Sequence, residues 1–486
     1  MNEAIACSLL STIRPSLTLL PDEPEYERAK AAFWSSTQTK STPAAIFQPR
    51  MAADVSIAII ILKKTSCRFA VKSGGHGKWA GESSINGGVL IDLANMKQIK
   101  LSQKQSVVAL GPGNRWGDVY SALEPLGLTV VGGRASGVGV GGFLLGGGIS
   151  WYSNLYGWGC DNIEAYEVVL ADGSVVTASE DVFPDLYKAL RGGTGNFGIV
   201  TAFFVKLYPY TGMWGGTKTF KRQYSDQATK GFIDIGSISD SVDPKSFFIL
   251  SLSTTEDKSW VWGSSLIYCD TNVNLACFNA VETIPTLNNE CRVRDQTESV
   301  AHLQSYYPNW MQYSIWTMAT KVDLITLRIC CAIWEEEMDP LLHEVGDLVP
   351  VLAIQYITSK VIEGAGRSGG NVTGLAGTQP FVMYNSEPRW AHAHDNQRVI
   401  SHIKRAFERM STESRRLGTN HEYRYSNYAS EYQDAIVSYG TDSNEFLRKV
   451  SNKYDPNGVF QKLRSSGFDF SGPPRKIQEL EYGAKL

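Results

Sequence analysis

The feature that most constrains this chain is a glycine-dense stretch from residue 131 to residue 148. Half of its eighteen residues are glycine, and apolar side chains such as Val138 and Phe143 stand between them. A backbone without Cβ atoms can lie flat along an extended ligand and donate its N–H groups to a diphosphate. Because the interleaved apolar residues fit a flexible linker poorly, the stretch predicts a ligand-binding surface.

Two glycine patterns in the chain have the spacing GxGxxG, but neither fits the turn that opens a dinucleotide-binding βαβ unit. That turn needs a long helix after its glycines, so that the pyrophosphate meets a helix N-terminus. After Gly142 only three residues pass before a glycine triplet. After Gly198 the β-branched and aromatic run 199–205 predicts a strand. We therefore interpret neither pattern as a Rossmann turn.

A separate glycine turn carries a histidine. Gly74, Gly75 and His76 follow the strand-like run 68–71 and precede a second apolar run, 88–93. The two glycines let backbone N–H groups approach a phosphate or the edge of a ring. On this stretch alone, a plain hairpin turn whose histidine caps a loop is the alternative interpretation.

Length and composition limit the remaining possibilities. A chain of 486 residues is long enough for two domains or three small ones, and 43% hydrophobic with 20% charged residues is ordinary for a globular protein. The formal net charge of -3 gives no reason to expect nucleic acid or an anionic membrane surface as a partner. The longest apolar run, 57–62, is far too short to span a bilayer.

The cysteines and histidines do not suggest a metal site. None of the eight cysteines forms a CxxC pair, so we expect reduced thiols and no zinc. Adjacent Cys330 and Cys331 are interpreted as buried small hydrophobic residues. His392, His394 and His402 could form a metal cluster, but side chains at i and i+2 point in different directions on a strand or a helix.

Targeting signals give an expectation about location. No basic residue precedes the apolar patch 4–10, which disfavours secretion. The final tripeptide, Ala484-Lys485-Leu486, differs from the Ser-Lys-Leu peroxisomal address by one small-for-small exchange. We therefore expect a peroxisomal protein, recognised by an import receptor through this tripeptide, or else a cytoplasmic one.

Periodicity of apolar residues predicts helices and strands along the chain. Helices are predicted over 53–64, 116–126, 185–190 and 396–410. Strands are predicted over 167–170, 175–176, 199–205, 246–253, 259–268 and 324–334.

The motifs occur in an order that resembles a known family. They are Ser-Gly-Gly-His at 73–76, the glycine run at 132–148, Tyr-Gly…Asp-Asn at 156–162, Ala-Asp-Gly at 171–173, Arg-Gly-Gly…Gly-Asn-Phe-Gly-Ile-Val at 191–200, Tyr-Ser-Asn-Tyr at 425–428 and Lys-Tyr-Asp-Pro-Asn-Gly-Val-Phe at 453–460. Together they resemble the berberine-bridge-enzyme-like oxidases of the vanillyl alcohol oxidase/p-cresol methylhydroxylase (PCMH) flavoprotein superfamily. Residues 211–420 match only loosely.

The resemblance implies an α+β fold with two lobes. A discontinuous FAD-binding domain of the PCMH type would comprise residues 1–210 and 421–486. Residues 211–420 would form a substrate domain, an antiparallel sheet backed by helices.

The resemblance also implies FAD, bound covalently through His76. Neutral imidazole is a nucleophile near neutral pH, so the role suits histidine. Many relatives carry a second bond from a cysteine at the position of Ala135, and Cys160 lies on the wrong side of the glycines to replace it. We therefore expect a single covalent bond. The expected cofactor contacts are Lys72, Ser73, Gly74, Gly75, His76, Gly77, Gly132, Gly133, Ser136, Gly137, Val138, Gly141, Gly142, Gly146, Asn162, Gly195, Asn196, Gly198, Ile199, Val200, Asn427 and Tyr428.

Two tyrosines near the C-terminus are the catalytic candidates, Tyr425 and Tyr428. In the family the last tyrosine of this stretch often lies above the reacting face of the flavin and can act as a base. Because an ordinary tyrosine has a pKa near 10, the role requires a neighbouring charge or a hydrogen-bond relay. Aromatic packing in a strand is the alternative for both. A valine at 138, where oxygen-reactive relatives have a small side chain, favours an oxidase.

The expected reaction is hydride transfer from a small organic substrate, of the secondary-metabolite type, to FAD, which O2 reoxidises with formation of H2O2. A carbohydrate or hydroxy-acid oxidase is one alternative, and it would be favoured if tryptophans of the substrate domain stack on a sugar. Those tryptophans are Trp260, Trp262, Trp310, Trp316 and Trp334. The other alternative is a redox-neutral cyclase with a structural FAD. The aromatic-Pro-His-Arg stretch of relatives is replaced here by residues 364–371, so its contacts cannot be carried over.

Overall fold

A computed structural model of the protein describes residues 2–475, and the C-terminal tripeptide lies outside the described residues. Its location signal therefore stays a prediction. The first 210 residues form two layers, each built on a small β-sheet, and most of the remaining chain forms one large antiparallel sheet. This arrangement confirms the α+β class with an antiparallel second lobe, while the domain boundaries at 210 and 421 stay a prediction.

The first layer is a four-stranded sheet that carries the histidine turn at its edge. Its strands, in spatial order, are Thr18–Leu19, Ala45–Phe47, Val89–Asp92 and Phe69–Lys72, and the last two are parallel. The helices Asn2–Ile13 and Ala52–Thr65 bury apolar side chains against it. The histidine turn begins where Phe69–Lys72 ends.

The second layer is a five-stranded antiparallel sheet. Its order is Ile99–Leu101, Val107–Leu110, Ile199–Lys206, Ile163–Val169 and Val175–Ser179. The helices around it include Trp116–Leu123, Val140–Leu145 and Pro184–Leu190. Residue 199 begins a strand directly after Gly198, as the β-branched run predicts, so this GxGxxG pattern is not a Rossmann turn.

The third layer is a nine-stranded sheet that forms the second lobe. Its main path runs Thr286–Asn289, Met213–Lys221, Trp260–Tyr268, Ser246–Thr254, Leu352–Ile357, Phe381–Ser386, Thr317–Lys321 and Asn420–His421, and Arg292–Arg294 also pairs with Met213–Lys221. Three long helices, Ser225–Ser241, Leu324–Glu344 and Asn396–Arg416, pack in its apolar core.

One element prediction is wrong. Residues 324–334, predicted as a strand, open the 21-residue helix Leu324–Glu344. The side chain of Asp323 caps this helix by accepting a hydrogen bond from the backbone N–H of Thr326, at 2.7 Å. A short, almost wholly apolar run cannot distinguish a buried strand from a buried helix by periodicity alone. Cys330 and Cys331 are nevertheless buried, as expected.

The C-terminal segment returns to the first lobe. After the helix Thr441–Tyr454, the backbone N–H of Ser465 donates to the carbonyl of Phe69, at 2.9 Å. Phe460 packs edge-on against the ring of Phe69. The chain therefore brings residues near 425–428 and 460–468 beside the histidine turn.

A buried cation fixes the second lobe to the first. Arg191 is fully buried, pairs with Asp161 at 3.3 Å, and donates to the carbonyl oxygens of Arg367, Ser368 and Gly370. Segment 364–371 thus serves as an interlobe contact.

Candidate active site

A cleft of about 360 Å³ lies where the two lobes meet. The structure brings most of the predicted cofactor and catalytic positions together in its wall. They are Ser73, Gly74, Gly75, His76, Gly77, Gly133, Val138, Gly141, Gly142, Gly195, Gly198, Ile199, Val200, Tyr425, Asn427 and Tyr428. Residues from distant parts of the chain therefore converge on one cavity.

Part of this wall consists of two glycine backbones that touch. A Cβ atom built on Gly74 would overlap the Cα atom of Gly139, and one built on Gly139 would overlap Gly74. Arg115 secures the crossing by donating to the carbonyl of Gly74, at 3.0 Å. No larger residue fits at this crossing, and the bare backbone leaves room for a flat ligand.

His76 is held as a neutral ring. Its imidazole stacks on the indole of Trp34, with ring centroids 4.1 Å apart and planes 11° from parallel. Burial, with a smaller contribution from the positive charges of Arg115 and Lys78, lowers the pKa of His76 to about 3. Its Nε2 atom is buried and has no hydrogen-bond partner within residues 2–475. Because His76 also lines the cleft, a group bound there could reach this nitrogen.

The wall also contains a buried cation without a carboxylate partner in the described part of the chain. Arg464 donates only to oxygens of carbonyl groups: those of Phe460, Ser466 and Phe468 and the side-chain amide of Asn196. Burial lowers its pKa to about 10, so it remains charged at neutral pH. Together with the glycine backbone and the unpartnered nitrogen of His76, this cation fits a ligand with a diphosphate and a reactive ring, as FAD has.

Seven predicted cofactor contacts do not line the cleft: Lys72, Gly132, Ser136, Gly137, Gly146, Asn162 and Asn196. Lys72 forms a buried ion pair with Asp92, at 3.3 Å. Asn162 donates to the carbonyls of Tyr156 and Trp158 and accepts from the hydroxyl of Tyr208. Lys72 and Asn162 therefore bond to protein groups outside the cavity and stabilise the backbone of its wall.

The other five have equally specific protein contacts. Gly132 packs against the ring of Trp116, and the backbone N–H of Gly137 donates to the side chain of Gln304, at 2.9 Å. The remaining contacts are Ser136 with the backbones of Gly117 and Val300, Gly146 with Ser426 and Asn427, and Asn196 with Arg464. Membership of a motif does not reveal which residue faces the cavity and which packs behind it.

Tyr428 has the neighbouring charge that a catalytic tyrosine requires. The guanidinium of Arg134 donates to the Tyr428 hydroxyl and, at 2.9 Å, to the side-chain oxygen of Gln355. Burial raises the pKa of Tyr428, and the positive charge of Arg134 opposes that rise. Arg134 belongs to the glycine stretch, but nothing in the neighbouring sequence indicates that it contacts Tyr428.

The sequence analysis missed an acidic residue in the same wall, Glu387. The hydroxyl of Tyr307 donates to one of its carboxyl oxygens, and the amide of Asn385 donates to the other, at 2.5 Å. Burial raises the pKa of Glu387. Gln355 donates to Asn385 at 3.0 Å, so a continuous chain of hydrogen bonds connects Glu387 with Arg134. The only sequence signal is an acidic residue directly after the uncharged strand Phe381–Ser386.

Tyr425, the other catalytic candidate, also lies in the cleft wall, and its hydroxyl is bonded to the protein itself. Its hydroxyl oxygen accepts from the backbone N–H groups of Gly148 and Ile149, at 2.9 and 3.1 Å, and from the amide of Asn427, at 3.0 Å. Burial raises the pKa of Tyr425. Its ring contacts Tyr428 edge-on, with centroids 4.8 Å apart. Tyr425 therefore holds the turn at 146–149 and supports Tyr428.

The cysteines and the substrate-lobe tryptophans that the sequence analysis considered do not line the cleft. Ala135 lies in the wall, whereas Cys160 is buried beside Asp161, and no cysteine of the described chain lines the cavity. None of the five substrate-lobe tryptophans lines it either: Trp262, Trp316 and Trp334 are buried in the core, Trp260 bonds Asp339, and Trp310 is exposed. The feature that would favour a sugar substrate is thus absent from this wall.

Residues 2–475 contain no group of three or more His, Cys, Asp or Glu side chains that could hold a metal ion. None of the helices there has the length and the apolar character required to cross a bilayer.

Comparison with known proteins agrees with this geometry. Residues 43–179 match the FAD binding domain family. The chain is 34% identical over 451 residues to the FAD-dependent monooxygenase tpcD of Cochliobolus heterostrophus, covering 90% of this chain and 86% of that protein. It is 31% identical over 468 residues to the bifunctional solanapyrone synthase of Alternaria solani, covering 96% and 88%.

A solved structure shows the same fold. Berberine bridge enzyme from Eschscholzia californica superposes with a TM-score of 0.74 at 16% identity, covering 96% of this chain and 99% of that one. The family match and the relatives define an FAD-linked oxidoreductase. The chain belongs to the family of FAD-linked oxidoreductases that these relatives represent, and it has the fold of berberine bridge enzyme, as the resemblance of its motifs predicts.

Proposed function

We propose that the protein is an oxidase that transfers hydride from a small organic secondary metabolite to covalently bound FAD, with O2 as the final acceptor and H2O2 as a product. The observation that carries the proposal is the hydrogen bond between Arg134 and Tyr428 in the cleft wall. It supplies the charge that lets a phenol act as a base. When bound, FAD supplies the acceptor for two electrons.

In this proposal Tyr428 removes a proton from an O–H or N–H group of the substrate. It does so as a phenolate, which becomes the neutral phenol when it takes up that proton. Arg134 stabilises the phenolate that must be present before the transfer, because opposite charges in a poorly solvated site attract strongly. Glu387 is the second acid–base group, since its raised pKa brings its proton exchange closer to neutral pH. The hydrogen-bond chain through Gln355 and Asn385 keeps the two groups in a fixed arrangement.

Covalent attachment through His76 is the second part of the proposal. Its support is a neutral, stacked imidazole whose Nε2 atom has no partner in the described chain. Attachment at one point is proposed because Ala135, and no cysteine, lines the cavity where relatives have a second bond.

Redox-neutral cyclisation is a second candidate function. The relative from Alternaria solani is named a bifunctional synthase, so one protein similar to this chain is described as having more than one function. In a cyclase the cleft would orient the substrate, and the cofactor would be structural.

Peroxide formation distinguishes the two candidates. The purified protein is incubated with a panel of small organic alcohols, amines and ring-closing precursors, and oxygen uptake and H2O2 are measured for each compound consumed. An oxidase is expected to release about one H2O2 per substrate, since each turnover delivers two electrons. Conversion of a compound without oxygen uptake would support the cyclase and contradict the oxidase.

The rate of cofactor attachment is expected to depend little on pH. With a pKa of about 3, His76 stays neutral and nucleophilic throughout the mildly acidic and neutral range. An ordinary histidine, with a pKa of about 6.5, would be about nine-tenths protonated at about pH 5.5. Flavin-depleted protein is mixed with saturating FAD, and the covalent fraction is followed from about pH 5.5 to about pH 8. We expect less than about a twofold change, whereas an approximately tenfold fall at the acidic end would contradict a neutral buried ring.

A further inference from the structure

Three aromatic rings form a continuous stack at one side of the cleft. The indole of Trp34 lies between the imidazole of His76 and the ring of Tyr313. The centroid of Trp34 is 4.1 Å from that of His76 and 3.8 Å from that of Tyr313. Only 5% of Trp34 is exposed to solvent, and all three residues line the cavity. The family motifs include neither Trp34 nor Tyr313.

Hydrogen bonds fix the indole from both lobes. The backbone N–H of Trp34 donates to the carbonyl of Gly75, at 2.9 Å, which connects it to the histidine turn. Its ring Nε1 donates to the carbonyl of Tyr307, at 3.2 Å, and its own carbonyl accepts from Trp310, at 2.7 Å. Trp34 is thus held by the turn that carries His76 and by a loop of the second lobe.

The residues after Trp34 extend the same interlobe contact. Ser36 donates its backbone N–H to the carbonyl of Met311, at 3.1 Å. The side chain of Gln312 donates to the hydroxyl of Ser36, at 2.6 Å, and accepts from the hydroxyl of Thr37, at 2.9 Å. These bonds fix the backbone of the segment, and the indole itself is held by its Nε1 bond to Tyr307 and by the rings stacked on it, so its plane is defined before any ligand binds.

We infer that Trp34 is a positioning residue for the covalent attachment of FAD to His76, an inference that rests on the proposed covalent linkage. A ring nitrogen presents its lone pair in the plane of the imidazole. The indole of Trp34 lies parallel to the imidazole and fixes the orientation of the imidazole plane. The lone pair of the nitrogen therefore points sideways out of the stack and not toward the neighbouring ring. The indole also covers one face of the imidazole, and exclusion of water keeps the ring neutral.

The attachment step requires such an orientation. The imidazole nitrogen forms a C–N bond to a methyl carbon of the cofactor ring. His76 releases its N–H proton, the methyl group loses one C–H proton, and the electron pair of that C–H bond passes into the ring system. The methyl carbon is thereby oxidised and the ring reduced by two electrons, which O2 later removes as H2O2. Misalignment of reacting atoms by about 1 Å can slow such a step about a hundredfold.

Three tryptophan variants test the inference: Trp34→Leu, Trp34→Phe and, as a matched control, Trp151→Leu. Trp151 is also buried, at 3% exposure, but it does not line the cleft. Each flavin-depleted protein is incubated with FAD, and samples are acid-precipitated at intervals to separate covalent from released flavin. Total bound flavin and the melting temperature are recorded in parallel, so that a folding defect is recognised.

We expect Trp34→Leu to attach FAD at least about tenfold more slowly while binding a similar total amount, since only the orientation of His76 is lost. Trp34→Phe, which keeps a stacked ring and loses the Nε1 bond, and Trp151→Leu are expected to remain within about threefold of the wild type. Equal rates in Trp34→Leu and the wild type would overturn the inference, as would equal losses in both Trp34 variants. If the wild-type protein itself retains no flavin, the proposed linkage fails instead.

Discussion

Replacement of His76 by alanine is expected to abolish the covalent retention of flavin. The described wall contains no second histidine and no cysteine: Ala135 lies in it, and Cys160 lies outside the cavity. Acid-precipitated wild-type protein should be yellow, with its intact mass raised by one FAD, and the His76→Ala protein should be colourless at the mass of the chain alone.

A second histidine provides the control for this experiment. His421 is also partly buried and stacked on an aromatic ring, that of Phe381, and burial lowers its pKa as well. It lies outside the cleft wall, so His421→Ala should keep the covalent flavin. The glycine backbone and Arg464 are unchanged in His76→Ala, and we therefore expect that variant still to bind FAD reversibly. Covalent flavin in His76→Ala, attached to another peptide, would contradict the assignment.

Replacement of Tyr428 by phenylalanine is expected to slow the reduction of the flavin by substrate about 10²- to 10⁴-fold. The variant keeps the ring that packs against Tyr425 and loses the hydroxyl bonded to Arg134. Proton removal from the substrate would then lack its base. The measurement is the rate of flavin bleaching under anaerobic conditions, with a substrate identified by peroxide release.

Two further variants separate catalysis from support. Glu387→Gln keeps the size of the side chain and removes its acid–base function, so the bleaching rate should fall and its pH dependence should change. Tyr425→Phe removes a hydroxyl that accepts backbone hydrogen bonds, and we expect it to destabilise the fold by about 1–3 kcal/mol with less than about a tenfold effect on bleaching. A Tyr428→Phe rate within about threefold of the wild type would exclude Tyr428 as the base.

The sequence predicts well wherever a local backbone property is decisive. Gly74 must be a glycine because the backbone of Gly139 leaves no space for a Cβ atom, and such constraints leave a visible pattern in the chain. The strand Ser246–Thr254 and the helix Ala52–Thr65 were predicted from periodicity within one residue of their observed bounds, whereas Asn396–Arg416 extends six residues beyond its predicted end. Leu324–Glu344 was predicted as a strand, because even exposed positions of its first half, such as Ile325, are apolar and do not set a helical period.

Contacts between distant segments account for what sequence reasoning missed. Glu387 matters because Tyr307, Asn385 and Gln355 surround it, and none of these neighbours belongs to a motif. Trp34 reaches His76 only because the loop at 307–313 holds it there. The same holds for Asn162, which belongs to a motif yet faces away from the cleft.

The sequence motifs, through the family that they resemble, determined the α+β class, the family and the flavin-type cofactor. The glycine pattern by itself determined the histidine turn, because glycine positions are properties of short stretches. Only the tertiary structure decided which side chains face the cavity, which of two tyrosines has a charged neighbour, and which residues orient His76. Those properties depend on segments as distant in the chain as Phe69 and Ser465. The free energy that brings them together comes from packing of the whole chain, which no short stretch encodes.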